Sequence, residues 1–416
     1  MAQETPRYHS LDALRAAALL LGIFFHAAES FCPERWSWAV VDPQAHWVFA
    51  AFQHTLHSFR MEVFFLIAGF FAHLVYHRRG FRAFVRHRTQ RILVPFLVGW
   101  VFLYPLIILI WIWGRLEMGR PDLIGMPAGT DASMTWWIWI GFFARGLFAG
   151  SEFSLIHLWF LYDLLLLYGC VLAGRWAWSV LDRSGRGKEL ADRFVSGLLH
   201  SRWPIAPLAL LTLLPLWWMG EGVRTPNTSL MPDVPVLATY GLFFGLGWMM
   251  HRRTELLPHL RRNWVLNLGI GLVLAIATFF GADIGNFADP AGAHPVFLET
   301  LSICAYAAAM WALVFGFSGM FMTFCGRQNG FWRYIADSSY WLYLVHLVLV
   351  VPLQVLVSDA NWHPAVKYLV INAIAFPVLF LSYNYLVRNT FLGAQLNGRR
   401  FARAEVRSIL PRRRAA

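Results

Sequence analysis

The sequence predicts an all-α, polytopic membrane protein of about ten transmembrane helices with both termini cytoplasmic. Three observations carry this expectation. The 416 residues are 58% apolar and 14% charged, whereas soluble chains run at roughly half apolar and about a quarter charged. Apolar stretches of roughly 20 residues, the length that crosses a hydrocarbon core, recur from residue 11 to residue 387. The basic residues are also biased by side: 26 fall on the side of the N-terminus and six on the other. Lys and Arg are retained in cytoplasmic loops, so a bias repeated loop after loop orients the chain.

Taken in order, the expected spans cover residues 11–31, 53–76, 92–113, 156–179, 204–220, 234–250, 264–281, 296–320, 338–357 and 366–387. The first begins like a cleaved leader, with Arg7 and Arg15 ahead of an apolar run that ends at His26, Ala27 and Ala28. Asp12 and Arg15 within the apolar segment, and a chain that keeps returning to the membrane, favour a retained helix. The inner loops hold Arg78, Arg79, Arg82, Arg86, Arg88 and Arg91 after the second span, and further groups after the fourth, sixth and eighth. Arg35, Arg115, Arg120, Arg145, Arg224 and Lys367 are the six on the outer side. Residues 134–148, rich in Trp and Phe, are too short to span and suit the outer interface. There is no internal repeat and no inverted pair of halves of the kind many transporters carry.

The organisation is a membrane domain over residues 1–387 and a basic cytoplasmic tail over 388–416. That tail has eight Arg and one acid, Glu405, so it supplies +7 of a net charge of +12 and suits anionic lipid headgroups. No continuous soluble basic surface remains, which excludes nucleic acid as the reason for the charge. Cys32, Cys170, Cys304 and Cys325 are isolated among apolar residues; their spacing suggests neither a metal site nor a disulfide framework.

Ionisable side chains inside spans are costly and are functional candidates by default. Arg15 and His26 are eleven residues apart, which at about 100° per residue puts them on one helix face about 16 Å apart along the axis. Asp12 shares that face, and Glu29 follows His26 by three. In the second span His54, His57, Ser58, Met61 and Phe65 form one stripe, while Arg60 and Glu62 point about 160° apart. Ser339, Tyr343 and His346 share a face of the ninth span. His157 opens the fourth, with Asp163 deeper on another face. A buried histidine is often only a satisfied interhelical partner, a rim histidine often only wet, and Arg15 alone would suit snorkelling to headgroups. A second ionisable group deeper on the same face is not explained by anchoring. Arg88 and Arg91, nearest the third span, suit a phosphate as paired cations.

These residues also resemble a known family. SLDALRAAALLLGIFFH (10–26), FRMEVFFLIAGFF (59–71), the Arg88-Thr89-Gln90-Arg91 pair, HLWFLYDLLLLY (157–168) and SSYWLYLVH (338–346) follow the order of the acyltransferase-3 family of integral membrane acyltransferases and span most of the chain. Within that family, the second and fourth motifs look most like the group that succinylates periplasmic glucans. The resemblance implies a multi-pass protein of the bacterial inner membrane that uses acyl-coenzyme A, with His26 as catalytic base and Arg15 supporting it or the donor. It also implies Arg88 and Arg91 at the coenzyme A phosphates, and His346 as a further catalytic residue. Glu62 stands where the glucan group often has Pro and the wider family an acid.

Both readings converge on one mechanism. Arg88 and Arg91 hold the donor, an extended pantetheine arm reaches up the first helix, and His26 takes the proton of an acceptor hydroxyl entering from outside. Glu29 or Glu62 orients the imidazole, Tyr343 or Ser339 meets the oxyanion, and Arg60 pairs with the free carboxylate of a succinyl group. His54, His57 and His157 line the acceptor side. The donor is succinyl- or acetyl-coenzyme A, the acceptor a glucan, and no metal is expected. O-acetylation of lipopolysaccharide or exopolysaccharide sugars is one alternative; a sugar or proton-coupled transporter is another, of a different class.

Overall fold

A computed structural model describes residues 8–33, 38–119, 154–201, 203–220, 222–226, 228–288 and 296–397. They form α1 (His9–Ala28), α2 (Trp47–His57), α3 (Arg60–Arg88), α4 (Val94–Glu117), α5 (Trp159–Leu181), α6 (Arg186–His200) and α7 (Ile205–Met219). The chain continues with α8 (Val234–Arg252), α9 (Trp264–Ala288), α10 (Val296–Phe324), α11 (Gly330–Ser358), α12 (Pro364–Ser382) and α13 (Phe391–Asn397), with short helical turns between some of them. No strand occurs among the described residues. Among the described residues eight helical stretches are long and apolar enough to cross a membrane; one, Trp47–Glu117, runs through α2, α3 and α4, and Ile205–Met219 is a shorter apolar helix. The ten expected spans thus fall on α1, α3 to α5 and α7 to α12. The interfacial stretch 134–148 and the tail beyond Asn397 lie outside the described residues.

Three local features differ from the sequence expectation. The second span is two helices that meet at Ser58 and Phe59. There Thr55 Oγ donates to the Ala51 carbonyl at 2.9 Å and Ser58 Oγ to the Thr55 carbonyl at 2.8 Å. Such back-bonding competes with the helix for its own acceptors, so the single stripe expected from His54 to Phe65 is interrupted. The expected basic loop after that span is mostly helix: α3 continues to Arg88 across a kink at Gly80, whose φ of 73° suits glycine. A five-residue π-turn, Thr89–Leu93, then leads into α4. Arg115 and Lys367, expected in outer loops, are instead buried residues of α4 and α12.

The helices fall into two compact units. One comprises Met1–Ala18, Ala51–Arg86 and Phe153–Gly326. Its α3 and α8 cross at backbone contact: a Cβ on Gly69 would fall on the Phe244 carbonyl, and one on Gly247 on the Leu66 carbonyl. Small residues at such crossings let helices approach closely where lipid offers no hydrophobic drive. Aromatic packing fills the interior, with Phe243 stacked on Trp311 at 3.9 Å and Phe65 on Tyr240 at 4.4 Å between ring centroids. α9 and α10 pack as a helical pair, and α10 also packs on α7.

The other unit comprises Leu19–Ala50, His87–Glu152 and Arg327–Ala416. Here α11 packs on both α4 and α12. The segment after α1 is clasped from two sides. Asp42 donates its backbone N–H to the Ser30 carbonyl at 2.8 Å, and its carboxylate meets Lys367 Nζ at 2.7 Å with both side chains almost fully buried. Lys367 also donates to the Ser358 carbonyl at 2.8 Å. The start of the expected tail is ordered: α13 docks through Arg91 Nη1 to the Leu396 carbonyl at 2.8 Å, and Gln395 bonds the Gln90 carbonyl.

Removing one member of a buried ion pair strands the other, at a cost of about 3–5 kcal/mol. Lys367→Met is therefore expected to lower the apparent melting temperature of the detergent-solubilised protein sharply, and Asp42→Asn added to it restores most of the loss. Equal melting of the single and double variants would remove this clasp from the account of stability.

Candidate functional site

His26 sits in the last turn of α1, and the next three residues tighten into the 3₁₀ turn Glu29–Phe31. That places the Glu29 carboxylate, three residues on, 3.7 Å from His26 Nδ1. Glu29 is buried. At 3.7 Å the carboxylate is a negative charge beside the ring, which stabilises a proton on Nδ1.

α11 brings a second imidazole to the first. His346 lies 5.1 Å from His26 between ring centroids. Its Nδ1 is 2.6 Å from the Tyr343 carbonyl; a carbonyl only accepts, so Nδ1 carries a proton. Two imidazoles this close to each other are groups that can take up and pass a proton.

The rest of the His26 surroundings comes from far along the chain. Trp38 lies parallel to the imidazole, 5.7 Å between centroids and 10° between planes, and meets Trp111 of α4 edge to face at 4.9 Å. Phe25 stands at the edge of the same ring, 5.1 Å away. Gln354 accepts from Trp38 Nε1 at 2.9 Å and donates Nε2 to the His26 carbonyl at 2.8 Å. It also reaches the Ala27 carbonyl at 3.2 Å, so one amide satisfies the orphan acceptors at the end of α1.

Arg88 and Arg91 belong to the same unit as His26, at the junction of α3 and the π-turn. A line of side chains on α11 connects them to the histidines. Tyr340 OH donates to the Arg91 carbonyl at 3.1 Å, Tyr340 stacks on Tyr343 at 6.5 Å, and Tyr343 faces His346 at 6.2 Å. Ser339 is turned to its own helix, donating to the Ala336 carbonyl at 3.1 Å.

The remaining expected residues lie in the other unit, which also holds the N-terminal half of α1. Arg15 is 3.9 Å from Asp12 and lies over the Phe71 ring at 5.9 Å. α1 is unbroken from Arg15 to His26. His54 Nε2 is 3.0 Å from Thr278 Oγ1, with Tyr306 at its edge, and His57 Nε2 is 3.1 Å from Thr225 Oγ1. Arg60, Glu62, His157 and Asp163 are all buried. Glu62 shares a local electrostatic field with Arg60, Tyr240 and Tyr306. The expectation that Arg60 and Glu62 point apart holds for a regular helix; Arg60 is the first residue of α3, where the helix has only begun.

Trp38, Gln354 and Tyr340 were not singled out by the sequence. Tyr340 carried a signal, since it stands three residues before Tyr343 and six before His346 on α11. Trp38 and Gln354 carried none: they lie in different segments and meet only through tertiary packing.

Comparison with known proteins agrees with this architecture. The family described as an acyltransferase domain matches residues 8–384. The chain is 24% identical over 355 residues to the glucans biosynthesis protein C of Escherichia coli O9:H4 (strain HS), covering 82% of this chain and 81% of that protein. The protein of the same name from Escherichia coli O157:H7 (strain EC4115 / EHEC) matches over the same lengths at the same identity. No solved structure matches the chain.

Proposed function

The chain belongs to the acyltransferase-3 family of membrane acyltransferases, and on that premise we propose that it moves an acyl group from cytoplasmic acyl-coenzyme A to a hydroxyl of a periplasmic glucan at the bacterial inner membrane. Succinyl is the favoured group, with acetyl second. The observation that carries the catalytic part is the Glu29 carboxylate 3.7 Å from His26 Nδ1. The glucan acceptor is supported by the name of the matched relatives, and the inner orientation of both termini by the arginine bias.

In this reading Arg88 and Arg91 bind the nucleotide phosphates of the donor, with Arg15 further along α1. The pantetheine arm follows the Tyr340–Tyr343 line toward the two histidines. His26 Nε2 takes the proton of the acceptor hydroxyl as its oxygen bonds to the thioester carbonyl carbon. Glu29 holds the imidazole and stabilises its charged form, as Glu62 would on the alternative assignment. Tyr343 donates to the oxyanion. As the C–S bond breaks, the imidazolium returns the proton to the departing thiolate, and His346 Nε2 is the second place that proton can rest. For the residues of the other unit the sequence expectation is kept: Arg60 for the free carboxylate of a succinyl group, and His54, His57 and His157 for the sugar.

His26→Ala is expected to abolish transfer from succinyl- or acetyl-coenzyme A in the purified protein. Glu29→Gln keeps the hydrogen-bonding shape but loses the charge, and is expected to lower kcat by about 10²–10⁴ with KM little changed, the range of a general-base contribution. A Glu29→Gln enzyme with wild-type kcat removes Glu29 from the mechanism. Arg60→Ala is expected to lower discrimination between succinyl and acetyl donors; unchanged discrimination sinks that role. Mass spectrometry of periplasmic glucans and surface polysaccharide from a deletion strain decides the acceptor. Loss of glucan acylation supports the proposal, and loss confined to the surface polysaccharide replaces it with lipopolysaccharide or exopolysaccharide acylation.

A further inference from the structure

The reactive imidazole has a cover that no step above uses. Trp38 lies ten residues beyond the end of α1, and its indole runs parallel to the His26 ring, 10° between planes and 5.7 Å between centroids. The indole is not placed by packing alone. Its N–H is held at 2.9 Å by Gln354, and the same amide grips the last carbonyls of α1. One buried side chain therefore sets the helix end that carries His26 and the ring that covers it. Trp111 braces the indole from α4. The segment beyond Trp38 is pinned by the buried Asp42–Lys367 pair. An aromatic held through its N–H, its ring and its segment is built to stay in place.

Acyl transfer has an obligatory competitor. Water is a smaller nucleophile than a sugar hydroxyl, and a base that activates one activates the other. Transfer then requires that the base be shielded from water until the acceptor is seated. An aromatic ring held parallel to the imidazole, 5.7 Å away between centroids, supplies that shield on one side.

We propose that Trp38 is a positioning residue that fixes the plane of the His26 imidazole and excludes water from it, so that the bound acyl group passes to a sugar hydroxyl instead of being hydrolysed. The proposal rests on the assignment of His26 as general base. Hydrolysis is the same displacement with water as nucleophile: the thioester C–S bond breaks, a C–O bond to water's oxygen forms, one water proton goes through His26 to the thiolate, and free acid and coenzyme A leave.

Two readouts test it on the full chain in detergent, with Trp38→Ala, Trp38→Phe and wild type compared. The first needs neither donor nor acceptor. Diethyl pyrocarbonate labelling of His26, followed by peptide mass spectrometry with exposed His363 as internal reference, is expected to run about fivefold or more faster in Trp38→Ala. Trp38→Phe, which keeps an aromatic face, stays within about twofold of wild type, as water exclusion by the ring requires. The second is the ratio of acceptor-free thiol release to acyl transfer, with succinyl- and acetyl-coenzyme A as donors and a periplasmic glucan fraction as acceptor. It is expected to rise about tenfold in Trp38→Ala and to return toward wild type in Trp38→Phe. A merely structural loss lowers both rates together and leaves the ratio unchanged; that result, or unaltered His26 labelling, overturns the proposal. Where Trp38→Ala loses its monodisperse profile, Gln354→Met keeps the indole but removes the acceptor that holds its N–H, so the ring is released from its position beside His26 and both readouts are expected to move in the same direction. A His26→Ala protein that still transfers acyl groups overturns the base assignment and the catalytic consequence of Trp38 with it. Active wild type, inactive His26→Ala and an unchanged ratio in Trp38→Ala overturn the shield alone.

Discussion

A chain in hydrocarbon has no water to satisfy a broken backbone hydrogen bond, and this constraint governs the structure. Regular helix is the default, so each departure needs a residue that compensates. Gly80 takes the positive φ of the kink in α3. Ser58 and Thr55 satisfy carbonyls beside the break between α2 and α3. Gln354 occupies the carbonyls at the end of α1. The breaks are also where the proposed site residues lie: Glu29 in the tightened turn after α1, Arg60 and Glu62 just after the second break, Arg88 and Arg91 at the π-turn. Local departures of this kind are frequent at functional sites, because a regular helix presents side chains only at fixed angles.

The same solvent governs the charges. Among the described residues, Asp42 meets Lys367, Arg252 meets Asp192 and Glu29 meets His26. The three pairs differ in kind. Asp42 and Lys367 are almost fully buried, lie 2.7 Å apart and join segments 325 residues apart; their role is to hold those segments. Arg252 and Asp192 tie α8 to the amphipathic α6. His26 and Glu29 are neighbours on one turn, and only one of them has a charge that changes easily. In the proposed mechanism the His26–Glu29 pair cycles through protonation states, a task separate from the clasp formed by Asp42 and Lys367.

What the sequence made legible follows the range of the interactions. Spans are a property of about 20 consecutive residues, and the ten expected ones fall on helices. The approach of Glu29 to His26 is a three-residue relation and could be read from spacing alone. The break inside the second span was hidden because Ser58 and Thr55 look compatible with a helix one residue at a time; the interruption depends on where their hydroxyls bond. Arg115 and Lys367 looked like loop residues because counting by side assumes that a charge near a span end faces water. Trp38 and Gln354 were out of reach for a stronger reason: no local pattern marks a tryptophan that will lie on a histidine of another segment.

This division of range also separates two properties of the candidate centre. The carboxylate–imidazole pair needs only four consecutive residues in a helical turn, so its chemistry is encoded locally and survives wherever α1 folds. A base of that kind is indiscriminate, because water near it is activated as readily as any alcohol. Selectivity between nucleophiles has to come from what surrounds the ring, and every surrounding group described here other than Phe25 arrives by tertiary contact: Trp38 after the turn, Trp111 from α4, His346 and Gln354 from α11. On the proposed mechanism, the base comes from the end of one helix and its turn, and the restriction to a chosen acceptor comes from the packing of the unit around it.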